Sequence, residues 1–229
     1  MNIAIIPARI GSKRIKKKNI KFFLGKPIIQ FTIEKLIKMK FFNQIYISTD
    51  SEKIKLIFKK YKKYNVHVPF IRPKKYSGDF SGTREVVLHA INEIKINSQD
   101  NIFCIYPTSV FINKKILRNA IKIINKQKRI YIFSAKQIEK NFFRSFFLEK
   151  KKLKVVFKKN IFKRTQDIKN AYVDAAQFYL AKTSTWIKNK NIFNKNAKFV
   201  ELDRFQSHDI DYPSDWIYAE NLYKNLKKK

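Results

Sequence analysis

A chain of 229 residues with 45% hydrophobic and 15% aromatic content can bury one sizeable core or two small ones, which excludes intrinsic disorder as its main state. The 51 Lys and Arg against 17 Asp and Glu give a formal charge of +34, suited to a polyanionic partner, yet Lys, Asn, Ile and Phe are abundant throughout while Gly (4), Met (2) and Cys (1) are scarce. A/T-rich coding imposes that bias on any protein, so where the charges fall is more informative than their sum. The single cysteine, Cys104, excludes an internal disulfide and a cysteine-based zinc site, and its apolar surroundings read as a buried structural thiol. No stretch approaches the ~18 apolar residues of a membrane span, and residues 1–6 lack the basic start of a signal peptide. A cytoplasmic protein with no membrane partner is expected.

Taken in order, the first half alternates short apolar runs with longer amphipathic ones, the pattern of a mainly parallel sheet wrapped by helices. Strands are predicted at 2–6, 44–48, 67–70, 102–106 and 130–133, and helices at 27–40, 52–64, 83–96 and 114–125. Pro27 suits a first helical turn, with Ile28, Phe31, Leu36 and Met39 forming the apolar stripe behind it. From 136 to 164 the pattern changes: eleven Lys/Arg and two acids are interleaved with Phe pairs at 142–143 and 146–147. Alternation resumes at 171–180 and 199–202, and a short extended segment at 208–211 precedes a closing helix at 213–226. One α/β domain over 1–229 with an inserted arm at about 136–164 is the expected organisation; no internal repeat is present.

Glycine in so glycine-poor a chain should mark places where another side chain would clash, and Gly11, Gly25, Gly78 and Gly82 all fall in predicted loops. Gly11 lies in the run PARIGSKRIKKKN at 7–19, directly after the first strand. Ligands of open α/β sheets bind at carboxyl ends of strands, and backbone N–H groups of such a turn can cradle phosphate oxygens, with Arg9, Ser12, Arg14 and Lys16 to Lys18 supplying positive charge. The run is neither a dinucleotide fingerprint nor a Walker motif, so by composition a solvated loop or a nucleic-acid-facing loop also stays open. Asp209 and Asp211 stand at i, i+2, which in extended backbone puts both carboxylates on one face, suited to a hard cation such as Mg²⁺. The other reading has Asp211 supporting the closing helix and Asp209 pairing with a lysine. Asp50, Tyr106 and the polar pair Asp174 and Gln177 occupy strand ends or strand interiors, and the last two are expected to face a cleft, since an unpaired polar group in a core costs ~1–3 kcal/mol.

These segments, read together, resemble one family. IPARIGSKRI at 6–15, KNI at 18–20, GKP at 25–27, STD at 48–50, FIRP at 70–73, RTQD at 164–167, DAAQFY at 174–179, DID at 209–211 and DW at 215–216 are similar, in order and over nearly the whole chain, to the cytidylyltransferases that activate nine-carbon nonulosonic acids. The resemblance implies a Rossmann-like nucleotide-diphospho-sugar transferase fold with a dimerisation arm. It implies CTP and a nonulosonic acid as substrates, Mg²⁺ as cofactor and a CMP-sugar and pyrophosphate as products. The DAAQFY stretch points to pseudaminic acid as acceptor; N-acetylneuraminate, legionaminate and 3-deoxy-octulosonate are the alternatives, because acceptor choice rests on a few pocket contacts.

By match to the family motifs, Arg9, Ser12 and Lys18 are expected on the triphosphate, with Arg9, Lys18 and Asp211 in the catalytic group. Asn19 is expected on the ribose or base, and Arg72 and Thr83 on the cytosine. Asp209 and Asp211 are expected as metal ligands, and Tyr106, Arg164, Gln166, Tyr172 and Gln177 in the sugar pocket. A homodimer is implied in which the 136–164 arm packs on the partner. The chain departs from the family at Ile10 and Ala176, where Gly is usual, at Leu180 for Trp, and at Tyr212 for Thr, the last expected to weaken the closing helix's cap by ~1 kcal/mol. The reading of another class, a basic protein gripping nucleic acid by charge and stacking, has no RNA-binding motif to support it, so no nucleic-acid partner is expected.

Overall fold

In β1 (Asn2–Pro7), alternate side chains enter two different cores: Ala4 and Ile6 join one, Ile3 and Ile5 the other. That period of two recurs wherever a strand is covered on both faces, and it is why the first strand reads as an unbroken apolar run. A computed structural model describes residues 1–127 and 129–227. After β1 come a short hairpin, β2 (Phe22–Phe23) and β3 (Lys26–Pro27), then α1 (Ile28–Met39), β4 (Gln44–Ser48), α2 (Glu52–Phe58), β5 (Val66–His67), α3 (Thr83–Ile94), β6 (Asn101–Ile105), α4 (Lys114–Lys126) and β7 (Ile132–Gln137). A second hairpin, β8 (Phe146–Glu149) and β9 (Lys152–Val155), precedes β10 (Tyr172–Lys182), α5 (Thr183–Lys188), β11 (Lys198–Glu201) and α6 (Pro213–Lys227).

Seven strands form one sheet in the order β11-β7-β10-β6-β1-β4-β5, parallel except for β10, which runs antiparallel to both neighbours. Residues of α1, α2 and α4 fill one face with Phe103, Phe178 and Leu180. Residues of α3 and α5 fill the other, where Trp186 is fully buried, packs edge-on against Tyr131 and donates its indole N–H to the Ile102 carbonyl at 3.2 Å. A third cluster, outside the sheet, joins Phe23 of the first hairpin, Ile28 and Phe31 of α1, Ile15, Ile210 and Trp216 of α6. Among the described residues no helix is long and apolar enough to cross a membrane.

Several expected elements shift for identifiable reasons. The helix predicted at 52–64 is α-helical only to Phe58 and continues as a tighter 3-10 turn to Tyr64. The strand predicted at 130–133 pairs instead over Ile132–Gln137: Ile130 and Tyr131 are buried without joining the ladder, while Lys136 and Gln137 pair with β10 despite their polarity. The basic, Phe-rich excursion therefore leaves the sheet after Gln137 and rejoins it at Tyr172. Gly25, at φ +92° beside Leu24 at +46°, makes the tight hairpin turn between β2 and β3, a geometry that favours glycine. Gly11 needs no such freedom, because its φ is ordinary and nothing lies within 4 Å of where a Cβ would sit.

Candidate active site

The loop after β1 is shaped by side chains. Asp50, at the carboxyl end of β4, accepts the Ile10 N–H at 2.8 Å. Ser12 Oγ donates to the Ile15 carbonyl at 2.6 Å and accepts the Lys18 N–H at 2.7 Å. Asn19, itself buried, donates Nδ2 to the Arg9 carbonyl at 2.8 Å and so closes the loop's two ends together. Ile10 avoids the left-handed region and packs against the main core, which is how the loop accommodates a β-branched residue where glycine is usual. These bonds leave Arg9, Lys13, Arg14 and Lys18 as a concentration of cations at the end of the strand.

The segment before α6 is brought against this loop. Lys18 Nζ donates to the Ile210 carbonyl at 2.6 Å and lies 3.1 Å from Asp211 Oδ1, while Arg14 Nη1 lies 2.8 Å from Asp211 Oδ2. Ile210 points the other way, fully buried with Ile15 and Trp216. The segment joins no sheet. Asp215, in the first turn of α6, reaches back and accepts the N–H groups of Asp211 at 3.0 Å and Tyr212 at 2.7 Å. These bonds tie the two residues before the helix to its first turn; they serve N–H groups outside the helix, not the helix's own first N–H groups that a Thr side chain at 212 would cap. Burial, and then the charge of Asp211, push the Asp209 carboxyl above the usual range.

A cavity of about 560 Å³ is lined by Arg9, Ser12, Lys18, Asn19, Tyr106, Asp209 and Asp211, all sequence-predicted site residues, together with Lys13, Arg14, Asp79 and Ala176. Thr83, first in α3, reaches it through Tyr106, their hydroxyls 2.6 Å apart. Burial raises the Tyr106 phenol to about 12, so it stays protonated as a hydrogen-bonding group. Arg72 is 3% exposed, stands behind the site rather than in its lining, and donates to Ser77 Oγ at 3.1 Å and Ser48 Oγ at 3.4 Å. Gln177 is 1% exposed rather than facing an open cleft; its Nε2 donates to the Ala175 carbonyl at 3.0 Å, and its Oε1 is buried with no partner among the described residues. Asp174 likewise serves the strand, accepting the Ala176 N–H at 3.0 Å and the Tyr179 hydroxyl. Ala176 holds φ +50° at the bulge this makes in β10, so the usual glycine is replaced by a residue in a left-handed conformation. Arg164, Gln166 and Tyr172 are not brought to the cavity: Arg164 is paired with Asp167 at 2.9 Å, Gln166 is exposed, and Tyr172 stacks on Phe199 at 4.7 Å.

A wider groove of about 1440 Å³ runs between the root of the arm and the first turns of α6, with Lys136, Lys140, Arg204 and His208 among its walls. It and the smaller cavity share the 208–215 segment as a border.

Residues 3–229 match the sequence profile of the cytidylyltransferases. The chain belongs to that family. A pseudaminic acid cytidylyltransferase of Campylobacter jejuni is 35% identical over 97% of this chain and 96% of its own length. A CMP-N,N'-diacetyllegionaminic acid synthase of Legionella pneumophila is 28% identical over 96% of this chain and 95% of its own. The fold of this cytidylyltransferase is shared with a CMP:2-keto-3-deoxy-manno-octonic acid synthetase solved in complex with CTP, at a TM-score of 0.72, 10% identity, and coverage of 98% of this chain and 99% of that one.

Sequence reasoning gave no role to Asp79 or Asp215. Asp79 bridges Arg9 at 2.8 Å and Lys13 at 2.5 Å; an acid between two glycines in a chain short of acids was the available signal. Asp215 was visible only as part of a matched motif. The apolar anchor between the two metal-candidate aspartates yields a direct expectation. Ile210→Ala should cost about 2–5 kcal/mol in urea unfolding, because Ile210 is fully buried in the cluster that also holds Ile15 of the loop after β1. A loss below about 0.5 kcal/mol would show that this cluster does not hold the two segments together.

Proposed function

We propose that this chain transfers the CMP group of CTP to a nonulosonic acid, pseudaminic acid, and releases pyrophosphate. The anomeric hydroxyl oxygen of the acid bonds to the α-phosphorus, the bond from that phosphorus to the β-phosphate oxygen breaks, and the hydroxyl proton passes to solvent. The observation that carries the reading is the convergence in one cavity, at the carboxyl end of β1, of the Arg9 to Lys18 cations with Asp209 and Asp211. Arg9 and Lys18 offer charge-assisted donors to the triphosphate, where stabilising the departing pyrophosphate lowers the barrier more than any covalent chemistry does. Ser12 and Asn19 hold the loop in the shape that presents those donors. The choice of pseudaminic acid rests on the 35% identical Campylobacter relative and on the DAAQFY stretch of β10. The groove beside the cavity has room for a nine-carbon acid, and Lys136, Lys140 and Arg204 can meet its carboxylate.

The donor set also fits Mg²⁺. Asp209 and Asp211 are adjacent hard carboxylates, and the upward shift of Asp209 by burial and by its neighbour marks a position where added positive charge is favourable. Mg²⁺ held by these two would supply neutralisation of the triphosphate. Lys18 and Arg14 keep Asp211 in place through contacts at 3.1 and 2.8 Å.

A homodimer completes the reading. Phe142, Phe146, Phe147 and Leu148 are exposed on the arm, where a lone subunit would present an apolar patch. Arg164 and Gln166 lie on the same excursion and miss their own cavity, the arrangement wanted if the arm borders a partner's sugar site. Sedimentation should find the wild type dimeric and a Phe147→Asp, Leu148→Asp variant monomeric; a monomeric wild type would overturn the dimer.

The reaction itself is tested by mass-spectrometric detection of CMP-sugar from CTP with pseudaminic, N-acetylneuraminic, legionaminic and 3-deoxy-octulosonic acids in turn. Product should form with pseudaminic acid, and should be lost on chelation of divalent metal and in a folded Asp211→Asn variant. Product with another acid alone would overturn the acceptor, and full activity of Asp211→Asn would overturn the metal assignment.

A further inference from the structure

Two carboxylates already occupy the cations of the phosphate-side loop: Asp211 holds Arg14 and Lys18, and Asp79 holds Arg9 and Lys13. Asp211 has a place in the reaction. Asp79 comes from another part of the chain, the exposed loop between Gly78 and Gly82, and lines the cavity. The neighbouring ring of Phe80 is fully exposed, so the loop's tip gains nothing from apolar packing there, and Asp79 supplies its ionic tie to the Arg9 loop. The two hydrogen-bonded cations, Lys13 first and then Arg9, hold the Asp79 carboxyl below its usual range, so the tie is fully charged at neutral pH.

We propose that Asp79 is a charge gate on this site: it stands in for phosphate between Arg9 and Lys13, and a ligand bringing two or more linked phosphates displaces it where a single phosphate does not. This rests on the cytidylyltransferase reading of the cavity and adds a residue that sets its ligand preference. One carboxylate bridging two cations is outcompeted by a polyphosphate that spans both with several charged oxygens. A lone phosphate group, such as remains in a CMP-sugar, has less charge to offer in exchange. The gate thereby favours CTP over monophosphate ligands, and it reclaims Arg9 and Lys13 as pyrophosphate departs.

The test is calorimetric titration of the full chain, without divalent metal and at physiological salt, using inorganic tripolyphosphate, pyrophosphate, CMP and CTP as probes. Asp79→Asn removes the competing charge and should bind tripolyphosphate and pyrophosphate about three- to tenfold more tightly, with CMP changed by less than about twofold. Glu52→Gln makes the same charge change on α2, where Glu52 is an exposed first-turn acid paired with Lys55 and outside the cavity lining, and should match the wild type because Glu52 competes for neither Arg9 nor Lys13. Unchanged or weaker polyphosphate binding by Asp79→Asn would overturn the gate, as would equal tightening for CMP or in Glu52→Gln. Wild-type protein that binds tripolyphosphate but not CTP would count against the cytidylyltransferase reading while leaving the gate standing. Binding of neither would remove both.

Discussion

The structure depends on a join between residues 192 positions apart, where the Lys18 ammonium meets the Ile210 carbonyl at 2.6 Å. The join has an apolar side and a polar side. On the apolar side Ile15 and Ile210 share a cluster with Phe23 and Trp216, so burial of ordinary hydrocarbon presses the last segment of the chain against the first loop. On the polar side the same contact brings Asp211 within 3.1 Å of Lys18 and sets both in one cavity. Hydrophobic burial is non-directional and supplies closeness; the hydrogen bonds from Lys18, and those from Asp211 and Tyr212 to Asp215, supply orientation.

This also explains how a chain carrying +34 charges can have a site defined by its few acids. Lysines on exposed faces interact weakly through water and salt, so their number says little about function. At the end of β1 the cations stand close together, Arg9 and Lys18 the more covered of them, and each pair is met by one carboxylate from far away in sequence: Asp79 from the loop before α3, Asp211 from the segment before α6. On the proposed reading, a highly charged nucleotide entering such a site exchanges partners with groups that are already ordered, which costs less than ordering them anew.

The fold was largely legible because strands covered on both faces leave short unbroken apolar runs between longer amphipathic stretches. Residues 3–6 and 102–105 are such runs, which local reading recovers, while their alternation between two cores shows only in the structure. The Asp209 and Asp211 pair and the basic loop stood out in the sequence, the motif resemblance joined them, and the structure brings them to one cavity. What escaped at Asp79 was set by distance in sequence: nothing local to it indicates that it reaches Arg9, 70 positions away. Asp215 is a local case that was passed over, an acid three residues after Tyr212 whose carboxylate accepts the Tyr212 N–H. Gly11 misled in the other direction: its scarcity value suggested a conformational need, whereas Ser12, Asn19 and Asp50 impose the loop's path. Gln177 looked like a cleft residue because a polar group in an apolar strand is costly, yet β10 bulges at Ala176 and turns it inward, where its Nε2 donates to the Ala175 and His208 carbonyls.

The most direct test of this account is calorimetric titration of CTP, with and without Mg²⁺, into the wild type and Lys18→Met, with circular dichroism confirming that both are folded. If Lys18 both joins the two segments and meets the triphosphate, the variant should bind CTP at least about tenfold more weakly, the range expected for loss of a charge-assisted hydrogen bond. A folded Lys18→Met that binds CTP as the wild type does would contradict the claim that this join builds the nucleotide site.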